Sequence, residues 1–375
     1  MSGRLRVGVI GCGLVAQVMH LPYLAELNDH YEIVALCDLS PEVAETCAQR
    51  FGVGRTLTRW PDMLTEDVDA VLVLTSGSHA PIAIAAAKAG IHVFVEKPMC
   101  FSVDEGLGMI EAARAADVCL MVGYMKRYDP AYLHLAAELD RLDELRLVRV
   151  TTLESPLEPY VAHYPLIPPT VIDADLRAAL QTETDERIRD AVGDTDALTR
   201  QVYRGILLDS LVHELNALRG LLGEPTSLDH VSLDQHRVTL LLGFGATQCV
   251  LSWVDLPGIA RYRQEFAFFA PERRATLAFP SPFLRSQPTL LTLEGGDIGT
   301  SRSWQSVETT GYEEAFKLEL IEFHDAVRQG RAPLTSGEDG LHDIALCQAI
   351  VRAHIDRQPM ERPSDVLADR TPAVG

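Results

Sequence analysis

The sequence predicts an α/β protein in two parts: a doubly wound parallel sheet, then an α/β domain built on a large, mostly antiparallel sheet. Three observations predict it. An apolar strand over residues 5–10 runs through Gly11-x-Gly13-x-x-Ala16 into an apolar helical stretch, the order that a dinucleotide pyrophosphate site needs. Strand-like apolar runs then alternate with helical stretches up to about residue 124, as in a parallel sheet with crossover helices. From about residue 145 the pattern changes to strands joined by short turns, which suits antiparallel pairing.

In the glycine loop, Gly11 permits the tight turn, Gly13 lets the backbone approach a pyrophosphate, and Ala16 allows close helix–strand packing. The helix N-terminus then faces the anion. Residues 32–37 read as a second buried strand ending at Asp38, an acid about 20 positions after the loop, where a ribose diol is gripped. Its charge opposes a 2'-phosphate, so NAD is expected before NADP. Next come a strand at 69–75, a helix at 80–89 closed by Gly90, a strand at 91–96, a helix at 103–116 and a strand at 118–124, each read from period and caps. The second part offers strands at 145–152, 238–244, 247–254, 265–269, 275–279 and 289–293, and two helices near 312–329 and 338–355. Between them, 155–203 carries prolines at 156, 159, 165, 168 and 169 and then an acid-rich helical segment. It reads as an insertion packed near the site or a solvated arm, with a lid or interface role in view. The expected domains are therefore 1–124 and 125–375.

A length of 375 residues supports two domains with sizeable cores. The formal charge of -20, from 33 basic and 53 acidic residues, argues against nucleic acid or an anionic membrane as a general partner. The N-terminus enters a strand without a secretory pattern, and no apolar run approaches the roughly 20 residues that span a bilayer, so a cytoplasmic location is expected. Seven cysteines, at 12, 37, 47, 100, 119, 249 and 347, are scattered and form no CxxC pair. They read as reduced, mostly buried thiols, and no metal site is expected.

Chemistry concentrates in two further places. Glu96-Lys97-Pro98 follows the strand at 91–95, and the carboxyl ends of such strands expose the ligand site. A lysine there can donate to a hydroxyl and stabilise a developing alkoxide; away from a strand end it would read as a solvated surface group. Asp209 and His213 stand at i and i+4 on a helical stretch that runs to Gly223. An imidazole beside a carboxylate suits proton transfer near neutrality, and the same spacing also suits a helix-surface ion pair.

With these residues in place the chain resembles the Gfo/Idh/MocA oxidoreductases, the group of glucose-fructose oxidoreductase and inositol dehydrogenases, over nearly its whole length. The landmarks are Gly8-Val-Ile-Gly-Cys-Gly13, Val34-Ala-Leu-Cys-Asp38, the Thr75 to His79 loop, the run from Ala89 to Pro98, Val122-Gly-Tyr-Met-Lys-Arg-Tyr128 and Asp209-x-x-x-His213. The resemblance implies an N-terminal Rossmann domain and a C-terminal α/β domain whose open sheet forms a homodimer or tetramer interface. It implies a cofactor set of Gly11, Gly13, Leu14, Val15, Asp38, Thr75, His79, Glu96 and Lys97. Lys97 would bind substrate and cofactor, His213 would be the general acid/base, and Asp209 would bind substrate and support the histidine. Tyr124 and Arg127 would be further substrate contacts, although an aromatic and an arginine at a domain junction also suit a structural role.

The chain departs from the family pattern at Gly77 and Met125, where asparagine is frequent, at Arg204-Gly205 in place of Gly-Gly, and at Asn216 in place of a second aspartate. Leu39 follows Asp38 where an arginine could meet a 2'-phosphate, which again favours NAD. The leading expectation is an NAD(P)-dependent dehydrogenase or reductase acting on a sugar, cyclitol or related polyol. The alternatives are an NAD-dependent glycoside hydrolase working through transient oxidation, and a non-catalytic cofactor-sensing regulator.

Overall fold

The computed structural model describes residues 3–168 and 173–356; Pro169, the start of the first expected domain and the end of the second lie outside them. Strands β1 (Leu5–Ile10), β2 (Tyr31–Cys37), β3 (Thr56–Leu57), β4 (Ala70–Val73), β5 (His92–Glu96) and β6 (Leu120–Gly123) form one sheet in the order β3-β2-β1-β4-β5-β6. All five pairings are parallel. The strand order reverses between β1 and β4, so the crevice at their carboxyl ends is the ligand position of a doubly wound sheet. β4 reads Ala-Val-Leu-Val and is buried throughout, as expected for a strand with helices on both faces.

The second sheet has eight strands: β7 (Leu147–Glu154), β8 (Ser227–Asp234), β9 (Arg237–Phe244), β10 (Thr247–Asp255), β11 (Arg263–Phe269), β12 (Arg273–Phe279), β13 (Leu290–Asp297) and β14 (Arg302–Thr309). Their order is β14-β13-β12-β11-β7-β10-β9-β8. Only the central β7–β10 pairing is parallel. One face carries Val148, Val150, Phe266, Phe268, Leu251 and Leu277, all fully buried, beneath the helices that hold Asp209 and His213. By register, the opposite face carries Leu147, Phe269, Leu290 and Val307, of which Leu147, Leu290 and Val307 are exposed.

The helix Ala315–Gln329 lies far from the first sheet in sequence, yet Phe316, Leu320 and Phe323 join Leu24, Phe94 and Met121 in one core cluster. The helix Gly337–Asp356 packs on the other side, where Ile344, Cys347 and Ile350 belong to the core continuous with the second sheet. Segment 155–203 is tied to the first domain at several points, among them Arg50 donating to the Pro165 carbonyl and the Tyr203 hydroxyl donating to the Phe101 carbonyl, each at 2.7 Å. The side chain of Gln17 exchanges hydrogen bonds with the backbone of Ile167, at 2.8 and 3.1 Å. Arg187 of the helix Ala174–Val192 pairs with Glu105 at 2.5 Å. No helix among the described residues is long and apolar enough to cross a membrane.

Candidate active site

The glycine loop has the shape a pyrophosphate needs. Gly11 has φ +98°, and a Cβ there would lie 2.8 Å from the backbone of Leu74 and Thr75, so no other residue fits. Gly13 is exposed, and a Cβ built on it meets nothing within 4 Å, which leaves the backbone open to a ligand. Leu14 and Val15 follow, half-buried, at the start of the helical run. It begins with a π-helical turn, Ala16–His20, and the Ala16 methyl is fully buried. At the end of β2, the Asp38 carboxylate accepts the Cys12 N–H at 2.8 Å and the Ser40 N–H at 2.9 Å. These bonds fix the carboxylate beside the loop and leave lone pairs free, because an ionised carboxylate has about four acceptor positions. The donor set therefore fits a dinucleotide with a ribose diol.

Lys97 extends from the end of β5 to Asp209. Its Nζ donates to the Asp209 backbone oxygen at 2.6 Å and to Oδ1 at 3.0 Å. The Asp209 side chain is 71% exposed and that of Lys97 only 19%, so the pair sits at the mouth of the site with the ammonium on the inner side. Asp209 lies in a second π-helical run, Tyr203–Leu211, and His213 in the α-helix Val212–Leu222 that continues it. The sequence suggests Asp209 as the partner of His213; in the structure Asp209 is engaged by Lys97, and His213 Nδ1 has no partner among the described residues. The Tyr124 ring stands edge-on to His213 with centroids 6.2 Å apart. Burial and the charges of Lys126 and Lys97 hold the His213 imidazole well below its ordinary proton affinity. It is therefore neutral at pH 7 and free to accept a proton.

Several polar residues around this centre were not singled out from the sequence. Lys126 is buried, and burial lowers its proton affinity against the pull of Glu214 and Glu154. Glu214 is fully buried on the helix of His213, where its Oε1 accepts from Thr152 at 2.6 Å and from Gln264 at 2.5 Å while Oε2 has no partner among the described residues. Trp253 donates to Ser210 at 3.1 Å, and Ser210 stands 3.4 Å from Glu154. Burial and the charge of Glu214 push the Glu154 carboxyl above its usual range. The signal available was Thr152, Glu154, Trp253 and Gln264 falling on strands of the second sheet; only tertiary pairing brings them to Glu214 and Ser210 on the helical run of Asp209 and His213.

Other expected residues have different surroundings. His79 is buried, and its ring nitrogens contact the carbonyl oxygens of Thr75 at 2.6 Å and Pro98 at 2.9 Å, so it braces the Thr75 loop against the Lys97-Pro98 turn rather than facing a cofactor. Glu96 is buried, with Oε1 2.6 Å from His20 Nε2 and Oε2 accepting the Lys97 N–H at 3.1 Å. Arg127 is buried beside Asn216 and Asp339, at 3.4–3.5 Å, in a polar network at the junction of the domains and not beside Lys97.

A family model described as "Oxidoreductase family, NAD-binding Rossmann fold" matches residues 5–124, and its companion, "Oxidoreductase family, C-terminal alpha/beta domain", matches residues 291–361. Inositol 2-dehydrogenase 3 of Saccharopolyspora erythraea is 29% identical over 354 residues, covering 93% of each chain. A levoglucosan dehydrogenase solved with NADH and levoglucosan superposes with a TM-score of 0.72 at 18% identity, over 96% of this chain and 100% of that one. A 3-ketoreductase from Actinomadura kijaniata, solved with TDP-benzene and NADP, gives 0.70 at 22% identity, over 92% and 96%.

Proposed function

The chain belongs to the Gfo/Idh/MocA oxidoreductase family and is a dehydrogenase acting on CH–OH groups; from that premise we propose that it moves a hydride between NAD and a carbinol or keto carbon of a sugar, cyclitol or related polyol. The observation that carries the reading is the meeting of Lys97 and Asp209 at 3.0 Å, beside a neutral His213 at the carboxyl end of the first sheet.

Gly11, Gly13, Leu14 and Val15 would hold the pyrophosphate, Asp38 the ribose and Thr75 the nicotinamide side. Bound nicotinamide supplies the hydride acceptor or donor. In the oxidative direction the neutral His213 takes the hydroxyl proton, and the Lys97 ammonium offsets the negative charge developing on that oxygen. Asp209 holds Lys97 in place and, being largely exposed, accepts a second substrate hydroxyl. In reduction the protonated His213 returns the proton. Lys126 and Glu154 line the inner end of the substrate space. Asp38 favours NAD over NADP by opposing a 2'-phosphate.

We assign the exposed face of the second sheet to a homodimer or tetramer interface, and a reducing cytoplasm suits the seven free cysteines. The test follows nicotinamide absorbance with NAD or NADP against a panel of free sugars, cyclitols and glycosides, with product analysis in parallel. Net reduction of NAD by a polyol is the expected result. Cleaved glycoside without net reduction would replace the reading with a hydrolase, and NADH binding without turnover of any polyol would favour a sensing role.

A further inference from the structure

Behind Lys97, three segments distant in sequence bring ionisable groups together in the core. His20 ends the π-turn after the glycine loop, Glu96 ends β5, and Glu319 lies on the helix Ala315–Gln329. All three are buried, His20 and Glu319 completely. One ligand-type atom from each lies within 4.8 Å of the others. The His20 ring meets the edges of Phe94 and Phe316 at 5.5 and 5.6 Å. Neither Glu319 oxygen has a hydrogen-bond partner among the described residues.

Two carboxylates cannot both stay charged in such a place without a counter-charge. A divalent ion is one solution. A tetrahedral ion with bonds of about 2.0–2.2 Å holds its ligand atoms roughly 3.3–3.6 Å apart, whereas His20 Nε2 and Glu96 Oε1 are 2.6 Å apart, the spacing of a shared proton. We propose that Glu319 carries a proton of its own and, packed against the His20–Glu96 pair that shares another, completes a buried unit that positions Lys97 from behind. The positioning role rests on the dehydrogenase reading; the proton on Glu319 does not.

The surroundings agree. Glu96 is the ionised member: burial opposes its charge, but the hydrogen bond and charge of His20 and the charge of Lys97 hold it below the usual carboxylate range. Glu319 is pushed well above that range by burial and by the Glu96 charge. The other ionisable groups in range of the unit are His79 beside Glu96, and Tyr31 and Tyr128, which face Glu319 from β2 and from the turn after β6. Through Oε2, Glu96 grips the Lys97 backbone N–H. Glu319 is thus a positioning residue that sets the charge of the group holding Lys97.

The proton is read from stability against pH in the full-length protein. Unfolded, Glu319 ionises near 4.5; folded, it holds its proton to higher pH, so the wild type loses stability as pH rises through that window. Glu319→Gln keeps the neutral shape and does not titrate. Its Tm relative to wild type should climb by roughly 2–6 °C between pH 5 and pH 8. An offset that is the same at every pH would overturn the proton assignment, and so would a wild-type Tm that falls on adding EDTA and returns with zinc or manganese. For positioning, Glu319→Gln should keep kcat within about twofold, while Glu319→Leu loses at least about tenfold in kcat with NADH affinity unchanged. Equal kcat in both variants would remove the positioning role. Wild type inactive on every polyol, with the Tm series as expected, would sink the dehydrogenase reading alone.

Discussion

His213 is held neutral by burial and by two lysines, and this sets a direction for pH dependence. Oxidation needs the free imidazole, so its kcat/KM should stay level as pH falls from 7 to about 6 and decline only further down, while reduction gains over the same range. Lys126→Met removes one of the two cations and should move the inflection upward; a fixed inflection would detach His213 from the profile. His213→Ala should lower turnover by about two to four orders of magnitude with NADH binding intact, and stopped-flow turnover beside fluorescence titration separates the two. Asp38→Ala should relax discrimination against NADPH, seen as a smaller NAD/NADP ratio of kcat/KM. Lys97, Asp209 and His213 were legible in the sequence because each stands at a strand end or at helical spacing. Their pairing was not: i,i+4 spacing suggests that Asp209 serves His213, but Lys97 reaches across from β5 and engages it first. Lys126 sits between Met125 and Arg127 in a short motif, and nothing local distinguishes a buried lysine from a solvated one.

At the scale of elements, the sequence revealed the interior strands of both sheets and missed β3, β8 and β14, which are the three strands at sheet edges other than β6. The cause is physical. Edge strands are blunted with polar residues, so Ser227–Asp234 and Arg302–Thr309 lack the apolar alternation that marks β7 or β10. The two π-helical turns were equally invisible, because one extra residue per turn leaves no compositional mark; such turns occur often at functional sites, and here one follows the glycine loop and the other carries Asp209. The helix Ala315–Gln329 was expected, but its docking on the first sheet was not, since an amphipathic period does not say which partner covers the apolar face. Phe323 is fully buried in that contact, and Phe323→Ala should cost about 3–5 kcal/mol, measured by denaturant unfolding.

On the scale of the whole molecule, the open sheet face presents Leu147, Leu290 and Val307 to solvent in one chain. If copies associate through it, Leu290→Glu combined with Val307→Glu should lower the mass found by light scattering to that of a single chain, near 41 kDa, without loss of the folded circular-dichroism signal. An unchanged mass would place the interface elsewhere. The helix Ala315–Gln329 also bears on the order in which the molecule is made. The ribosome releases the first sheet early, yet Phe94 and Met121 share their core cluster with Phe316, Leu320 and Phe323, side chains synthesised some two hundred residues later. A chain interrupted before residue 315 would therefore carry a bare apolar flank, and the nucleotide-binding half reaches its finished form only near the end of translation.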